Sequence, residues 1–84
     1  MPINYANLRN LTTRELISAL LRDGFVFNRQ RGSHQLYSDP ATHRRVTVPF
    51  HRSSDTLRRQ TLKTIIERQA RWSEEDLTRL GLLQ

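Results

Sequence analysis

The three histidines of this chain are its side chains best suited to proton transfer near neutral pH. His34 follows directly after a glycine and a serine, His43 lies in a polar stretch, and His51 follows a short β-branched run. Histidine can donate or accept a proton because its unperturbed pKa, about 6.5, leaves both forms populated near neutrality. Cleavage of RNA suits such a group, because the 2′-hydroxyl is a built-in nucleophile and the reaction needs no metal ion.

Other catalytic and metal-binding arrangements find little support in the sequence. The chain has no cysteine, which removes thiol catalysis, disulfides and cysteine-ligated zinc. The histidines are separated by nine and eight residues, which matches no familiar pattern of metal ligands. Ser33 lacks a recognisable base and orienting group for nucleophilic catalysis. We therefore expect no metal and no small-molecule cofactor.

Basic residues are concentrated in the middle of the chain. The window from Arg29 to Lys63 contains eight basic and two acidic residues, a net charge of +6 that equals the net charge of the whole chain. Such a window predicts a surface for a polyanion, because each neutralised phosphate releases counterions. Arginine dominates it, and the planar guanidinium suits phosphate oxygens and stacked bases. The basic members are Arg29, Arg31, Arg44, Arg45, Arg52, Arg58, Arg59 and Lys63.

The length of 84 residues predicts a single small domain. We place it at residues 12–84, with residues 1–11 as an N-terminal extension that need not be ordered. The first residues show no export signal, and no segment approaches the roughly 18 apolar residues of a membrane span. Together with the lack of cysteine, this predicts a cytoplasmic protein with no membrane partner.

The elements that must position these groups are a helix, three strands and two further helices. A capping box of Thr12 and Glu15 begins the first helix, which ends at Gly24. The strands are predicted at residues 25–30, 33–38 and 44–49, with a reversal at Arg31-Gly32. A second helix covers residues 61–69, and a short third helix begins after Ser73. The apolar stripe of the first helix consists of Leu16, Ile17, Leu20 and Leu21.

This order predicts an α+β fold of α-β-β-β-α type plus a short C-terminal helix, with the helices on one face of a three-stranded antiparallel sheet. One conflict remains in the second strand. The period of two puts His34 and Leu36 on one face and Tyr37 on the other, so either His34 lies on the core face or Leu36 is exposed. We expect Tyr37 to pack inward and His34 to face a groove, with a bulge at Gly32 re-aiming the histidine.

Two motifs in this order resemble the HicA toxins, small messenger-RNA interferases of bacterial toxin–antitoxin modules. The first is the triplet Gly32-Ser33-His34, and the second is the run Val46-Thr47-Val48-Pro49-Phe50-His51. The resemblance covers residues 12–80. It implies a fold like that of double-stranded-RNA-binding domains, metal-independent cleavage of RNA and neutralisation by a HicB-type antitoxin protein.

The resemblance implies the role of one site residue. His34 corresponds to the catalytic histidine, which makes the expected activity that of an endoribonuclease with a single catalytic histidine. From the basic window and the two motifs, we expect on the substrate side Arg29, Arg31, Gly32, Ser33, Arg44, Arg45 and His51. His51 is also a candidate for a second proton-transfer group, or else a polar cap after Pro49. The chain departs from the family at Gln60, where a glycine or proline is common, and at Arg71, where a glycine is common.

Two other functions fit the same basic window. A non-catalytic RNA-binding module would bind RNA with strong salt dependence and never cleave it. A protein-interaction domain would bind RNA weakly and bind an acidic partner tightly. The ribonuclease alone predicts that His34→Ala abolishes cleavage while folding and RNA binding persist.

Overall fold

The computed structural model describes residues 3–84, and it has the predicted architecture. The three strands form one antiparallel sheet in the order β1-β2-β3. This confirms the α-β-β-β-α fold of the double-stranded-RNA-binding type with a short additional helix. None of the helices in residues 3–84 is long and apolar enough to cross a membrane. The elements are α1 (Thr13–Arg22), β1 (Val26–Arg31), β2 (His34–Ser38), β3 (Arg45–Pro49), α2 (Arg59–Thr64) with a π-helical turn (Ile65–Gln69), and α3 (Glu74–Arg79).

Helix α1 begins where the sequence predicts. The Thr12 hydroxyl accepts a hydrogen bond from the Glu15 N–H (3.2 Å), and the Glu15 carboxylate accepts one from the Thr12 N–H (3.0 Å). A cap of this kind stabilises a helix by about 1 kcal/mol. The predicted apolar stripe is too wide by one residue, because Leu21 is 51% exposed whereas Leu20 is fully buried.

The first hairpin turns one residue later than the sequence predicts. Its loop is Gly32-Ser33, and Arg31 still belongs to β1. Gly32 has a φ of +58° at the first loop position, as a two-residue type II′ turn requires. The expected bulge at Gly32 is absent, and the irregularity lies instead between Phe27 and Arg29. Asn28 is therefore the extra residue of the β1–β2 ladder.

One face of the sheet packs against the helices and the other is open. Tyr37, Val46 and Val48 are at most 4% exposed and point into the core, whereas Arg45 and Thr47 alternate with them and are exposed. The period of two along β3 sorts these side chains onto opposite faces. The helices and the segments that join them contribute much of the remaining core, principally Leu16, Ala19, Leu20, Leu62, Ile65, Ile66, Trp72 and Leu77.

Residues 3–11 pack onto the domain, whereas the sequence predicts an extension outside it. Leu8 and Leu11 are fully buried in the core. Leu8 and Leu83 form an isolated antiparallel β-bridge, and the Arg9 N–H donates to the Leu82 carbonyl (3.0 Å). Burial of two leucines, at roughly 2 kcal/mol each, accounts for this docking. The first two residues of the predicted extension lie outside the described part of the chain.

The polar connection between β3 and α2 runs beside the start of α1. Its Leu57 N–H donates to the Leu11 carbonyl (2.8 Å), and its Asp55 carbonyl accepts from the Thr13 N–H (2.9 Å). Leu57 is also buried in the core. These bonds fix a segment that the sequence leaves without an assignment. His51 begins this segment.

Candidate active site

His34 lies on the open face of the sheet together with three arginines. Arg31 is directly opposite His34 in the β1–β2 ladder, Arg29 is opposite Leu36, and Arg45 is opposite Ser38 in the β2–β3 ladder. Residues that are directly opposite in an antiparallel pair project from the same face. Because His34, Leu36 and Ser38 alternate along β2, the histidine and the three arginines share one face. All four of these side chains are exposed.

The bulge at Asn28 puts both β1 arginines on this face. Phe27 pairs with Tyr37 on the inner side, where the two rings pack edge to face with centroids 5.6 Å apart. In a regular strand Arg29 would point to the same inner side as Phe27. The extra residue reverses the alternation, so Phe27 keeps its aromatic contact while Arg29 and Arg31 point outward. Tyr37 is 4% exposed and His34 is exposed, which settles the conflict in β2 as predicted.

A chain of hydrogen bonds stabilises the hairpin that carries His34. The Tyr37 hydroxyl donates to Gln35 Oε1 (2.8 Å), and Gln35 Nε2 donates to Gln30 Oε1 (3.1 Å). Gln30 Nε2 in turn donates to the Gly32 carbonyl (3.0 Å). Burial raises the pKa of Tyr37, so its hydroxyl stays protonated and keeps donating. These bonds hold the Gly32-Ser33 turn in place. The two glutamines that support the turn match no motif that would predict this role from the sequence.

His34 borders a shallow groove between the sheet and α2. The groove has a volume of about 290 Å³, and its strand side consists of His34, Thr47 and Pro49. Its helix side consists of Gln60, Thr61, Thr64, Ile65 and Gln69. Gln69 Oε1 accepts a hydrogen bond from the Thr47 N–H (2.9 Å) at the free edge of β3, which holds the π-helical turn against the strand. These helix residues are distant from His34 in the sequence, and only the tertiary fold brings them to it.

His51 is exposed and borders a second, adjoining groove of about 480 Å³. This groove shares Pro49 and Thr61 with the His34 groove. The Phe50 N–H donates to the Ser33 carbonyl (2.6 Å), which ties the chain before His51 to the turn before His34. The two signature motifs of the sequence therefore meet at the Gly32-Ser33 turn.

Arg44 is placed apart from the other predicted substrate-side arginines. Its side chain is 15% exposed, and its guanidinium lies 2.8 Å from the Asp39 carboxylate and 3.2 Å from the Asp23 carboxylate. It also donates to the Ala70 carbonyl (2.8 Å) and lies 4.7 Å from the centroid of the Phe25 ring. These contacts use the guanidinium to join α1, the β2–β3 loop and the end of α2. We therefore remove Arg44 from the set of residues proposed to bind substrate.

Both acidic groups of this internal cluster accept several hydrogen bonds. Hydrogen bonds from Arg44 and Thr42 lower the pKa of Asp39 to about 2. Asp23 accepts hydrogen bonds from Trp72 Nε1 (2.7 Å) and from Arg79 (2.8 Å) as well as from Arg44.

Within residues 3–84, no three histidine or acidic side chains come together in a way that would hold a metal ion.

Comparison with known protein families identifies a match over most of the chain. The profile described as the HicA toxin of bacterial toxin–antitoxin systems matches residues 13–72, which include both sequence motifs and the π-helical turn. A search of curated proteins finds no match.

Proposed function

Because the chain belongs to the HicA family of bacterial toxins, we propose that it is a metal-independent endoribonuclease that cleaves messenger RNA by means of His34. The family match gives the chain a toxin role in a toxin–antitoxin module and implies an antitoxin partner. RNA as the substrate and histidine as the catalytic group are our proposal for this chain.

The observation that carries the proposal is the shared face of His34, Arg29, Arg31 and Arg45. A backbone phosphate bound at the imidazole of His34 lies directly beside the Arg31 guanidinium, since these two residues are opposite partners. Arg29 and Arg45 extend the positive charge on the same face, along β1 and β3. An RNA strand carries one phosphate per nucleotide, so a row of arginines on an open face suits its backbone.

The proposed reaction begins with removal of the proton from the 2′-hydroxyl next to the scissile phosphate. The 2′-oxygen then attacks phosphorus in line, and the bond to the 5′-oxygen breaks as that oxygen is protonated. The products are a 2′,3′-cyclic phosphate and a 5′-hydroxyl. His34 takes part in proton transfer, and Arg31 stabilises the negative charge that develops on the phosphorane oxygens.

We further propose that a HicB-type antitoxin inactivates the enzyme by covering this face. The face combines exposed arginines with the histidine, so an acidic surface on the antitoxin would match its charge. Bound in this way, the partner would exclude RNA from His34 without any change in the fold of the toxin.

The test is cleavage of labelled single-stranded RNA in excess EDTA by the wild type and His34→Ala. We expect cleavage by the wild type, none by His34→Ala, and retained RNA binding by that variant. His43→Asn is the matched control, because His43 is exposed in the β2–β3 loop and has a φ of +62°, which asparagine tolerates. If the folded wild type binds RNA without cleaving it, the chain is a non-catalytic RNA-binding module and not an enzyme.

A further inference from the structure

His34 and His51 border two adjoining grooves that share Pro49. Pro49 is the ladder partner of His34, and His51 follows it by two residues. The grooves share Pro49 and Thr61, so a strand of RNA lying across Pro49 contacts both. We propose that His51 is the second proton-transfer residue of the cleavage reaction and acts on the same phosphodiester as His34. This inference rests on the ribonuclease function proposed above.

The His34 groove itself contains no second group for proton transfer. Its other polar side chains are threonines and glutamines, which do not titrate near neutral pH. In the adjoining groove the titratable side chains are His51, Asp55 and Arg58. An arginine stays protonated, and the Asp55 carboxylate is engaged by the backbone N–H (3.3 Å) and the side chain (3.3 Å) of Arg52. His51 is therefore the side chain in these two grooves that can complete the proton transfers.

We assign His34 as the base and His51 as the acid. Replacing the leaving 5′-oxygen by sulfur distinguishes this assignment from the reverse one, because only the loss of the acid is then rescued.

Two histidines account for both proton transfers of the cleavage reaction. His34 takes the proton of the 2′-hydroxyl as the bond from the 2′-oxygen to phosphorus forms. The bond from phosphorus to the 5′-oxygen breaks, and the protonated His51 gives its proton to that oxygen. The two imidazoles then exchange protons with water before the next turnover.

The test uses a short single-stranded RNA in which the 5′-oxygen at a site cleaved by the wild type is replaced by sulfur. A thiol has a pKa of about 8.5, so the sulfur leaves as a thiolate and needs no acid. Release of the thiol is measured for the wild type, His51→Ala, His51→Gln, His34→Ala and His43→Asn, and compared with cleavage of ordinary RNA. Circular dichroism of each variant checks folding, which these exposed positions should not perturb.

We expect both His51 variants to cleave ordinary RNA at least about 100-fold more slowly than the wild type and to regain near-wild-type rates on the sulfur-containing RNA. His34→Ala should be inactive on both, and His43→Asn should match the wild type on both. Equal losses on the two RNAs would mean that His51 only binds substrate, and no loss on ordinary RNA would mean that it has no role. Either result overturns the inference, whereas cleavage of ordinary RNA by His34→Ala overturns the proposed function itself.

Discussion

Arg31 and His34 face each other across the two-residue turn at the end of the β1–β2 hairpin. They are the last residue of β1 and the first of β2, so the turn fixes their separation more firmly than it would for residues further along the strands. The pairing places a permanent positive charge beside the imidazole. A phosphate that reaches His34 therefore meets both groups at once.

Arg31→Ala should lower kcat/KM for RNA cleavage by roughly 100-fold, because it removes a charged donor to the phosphorane. Arg31→Lys should give an intermediate value, since lysine keeps the charge but loses the planar fork. Arg14→Ala is the control, because Arg14 is an equally cationic, exposed residue that borders a different surface cavity, formed by α1 and Leu82. Steady-state kinetics on one RNA gives kcat/KM for the wild type, Arg31→Ala, Arg31→Lys and Arg14→Ala. Equal losses for Arg14→Ala and Arg31→Ala would show that only total charge matters.

Arg45→Ala should weaken RNA binding mainly through the loss of one phosphate contact. Binding is measured with and without Arg45→Ala in chains that also carry His34→Ala, which prevents cleavage of the RNA. The slope of log K against log salt concentration should become shallower by about 0.7, the value for one contact to a single strand. Titrations at several salt concentrations measure this slope, and an unchanged slope would place Arg45 outside the RNA contact.

Arg44→Ala should instead destabilise the fold. It leaves the largely buried carboxylates of Asp23 and Asp39 without their shared partner, which costs about 3 kcal/mol in the free energy of unfolding. The neighbouring Arg45→Ala is a natural control, because an exposed substitution of this kind changes stability by about 0.5 kcal/mol or less. Urea unfolding of both variants compares them. Similar stabilities would mean that the Arg44 cluster contributes little.

Stability should decline in acid partly through Asp39. Its pKa in the folded protein is about 2, below the value near 3.9 in an unfolded chain, chiefly because the Arg44 guanidinium donates to it. A group whose folded pKa is lowered contributes stability that is complete above its unfolded pKa and is lost as the pH falls through its folded pKa. The contribution of Asp39 should therefore fade between about pH 4 and pH 2. Asp39→Asn should be less stable at neutral pH and show a flatter decline over this range. Parallel pH profiles for the wild type and Asp39→Asn would contradict this role.

Arg71→Gly should raise the free energy of unfolding by about 0.5–1 kcal/mol, once the greater flexibility of the unfolded chain is subtracted. Arg71 has a φ of +55°, a left-handed conformation in which glycine carries no steric penalty. The position follows the π-helical turn, where the family tends to have glycine. Arg71→Ala separates the loss of the arginine side chain from the relief of backbone strain, because alanine removes the side chain but keeps the strain. Thermal melting of both variants tests this, and a stabilised Arg71→Ala would show that the side chain is the unfavourable group.

The sequence predicts the local features of this fold well. The capping box of Thr12 and Glu15 depends on residues three positions apart, and the structure forms it. Alternation along β3 places Val46 and Val48 inward and Thr47 outward, as the alternation of apolar and polar side chains in a strand predicts. The same period puts Tyr37 and His34 on opposite faces, but it leaves open which of the two lies inward.

Features that depend on distant partners could not be predicted from the sequence. Arg44 and Arg45 are adjacent arginines in one basic run, and only the tertiary position of Asp23 separates their roles. The bulge at Asn28 follows from the requirement that Phe27 and the β1 arginines point to opposite faces, which local propensity does not show. The burial of Leu8 depends on Leu83 at the other end of the chain. The neighbours of His34 on α2 depend on how that helix packs beside β3.

Catalysis by His34 is tested most directly by the chemistry of the product ends formed in excess EDTA. If the 2′-hydroxyl is the nucleophile and His34 transfers a proton, every cut should leave a 2′,3′-cyclic phosphate and a 5′-hydroxyl, and His34→Ala should produce none of these ends. Ends with a 3′-hydroxyl and a 5′-phosphate would rule out attack by the 2′-hydroxyl, and cyclic-phosphate ends formed equally by His34→Ala would rule out catalysis by His34.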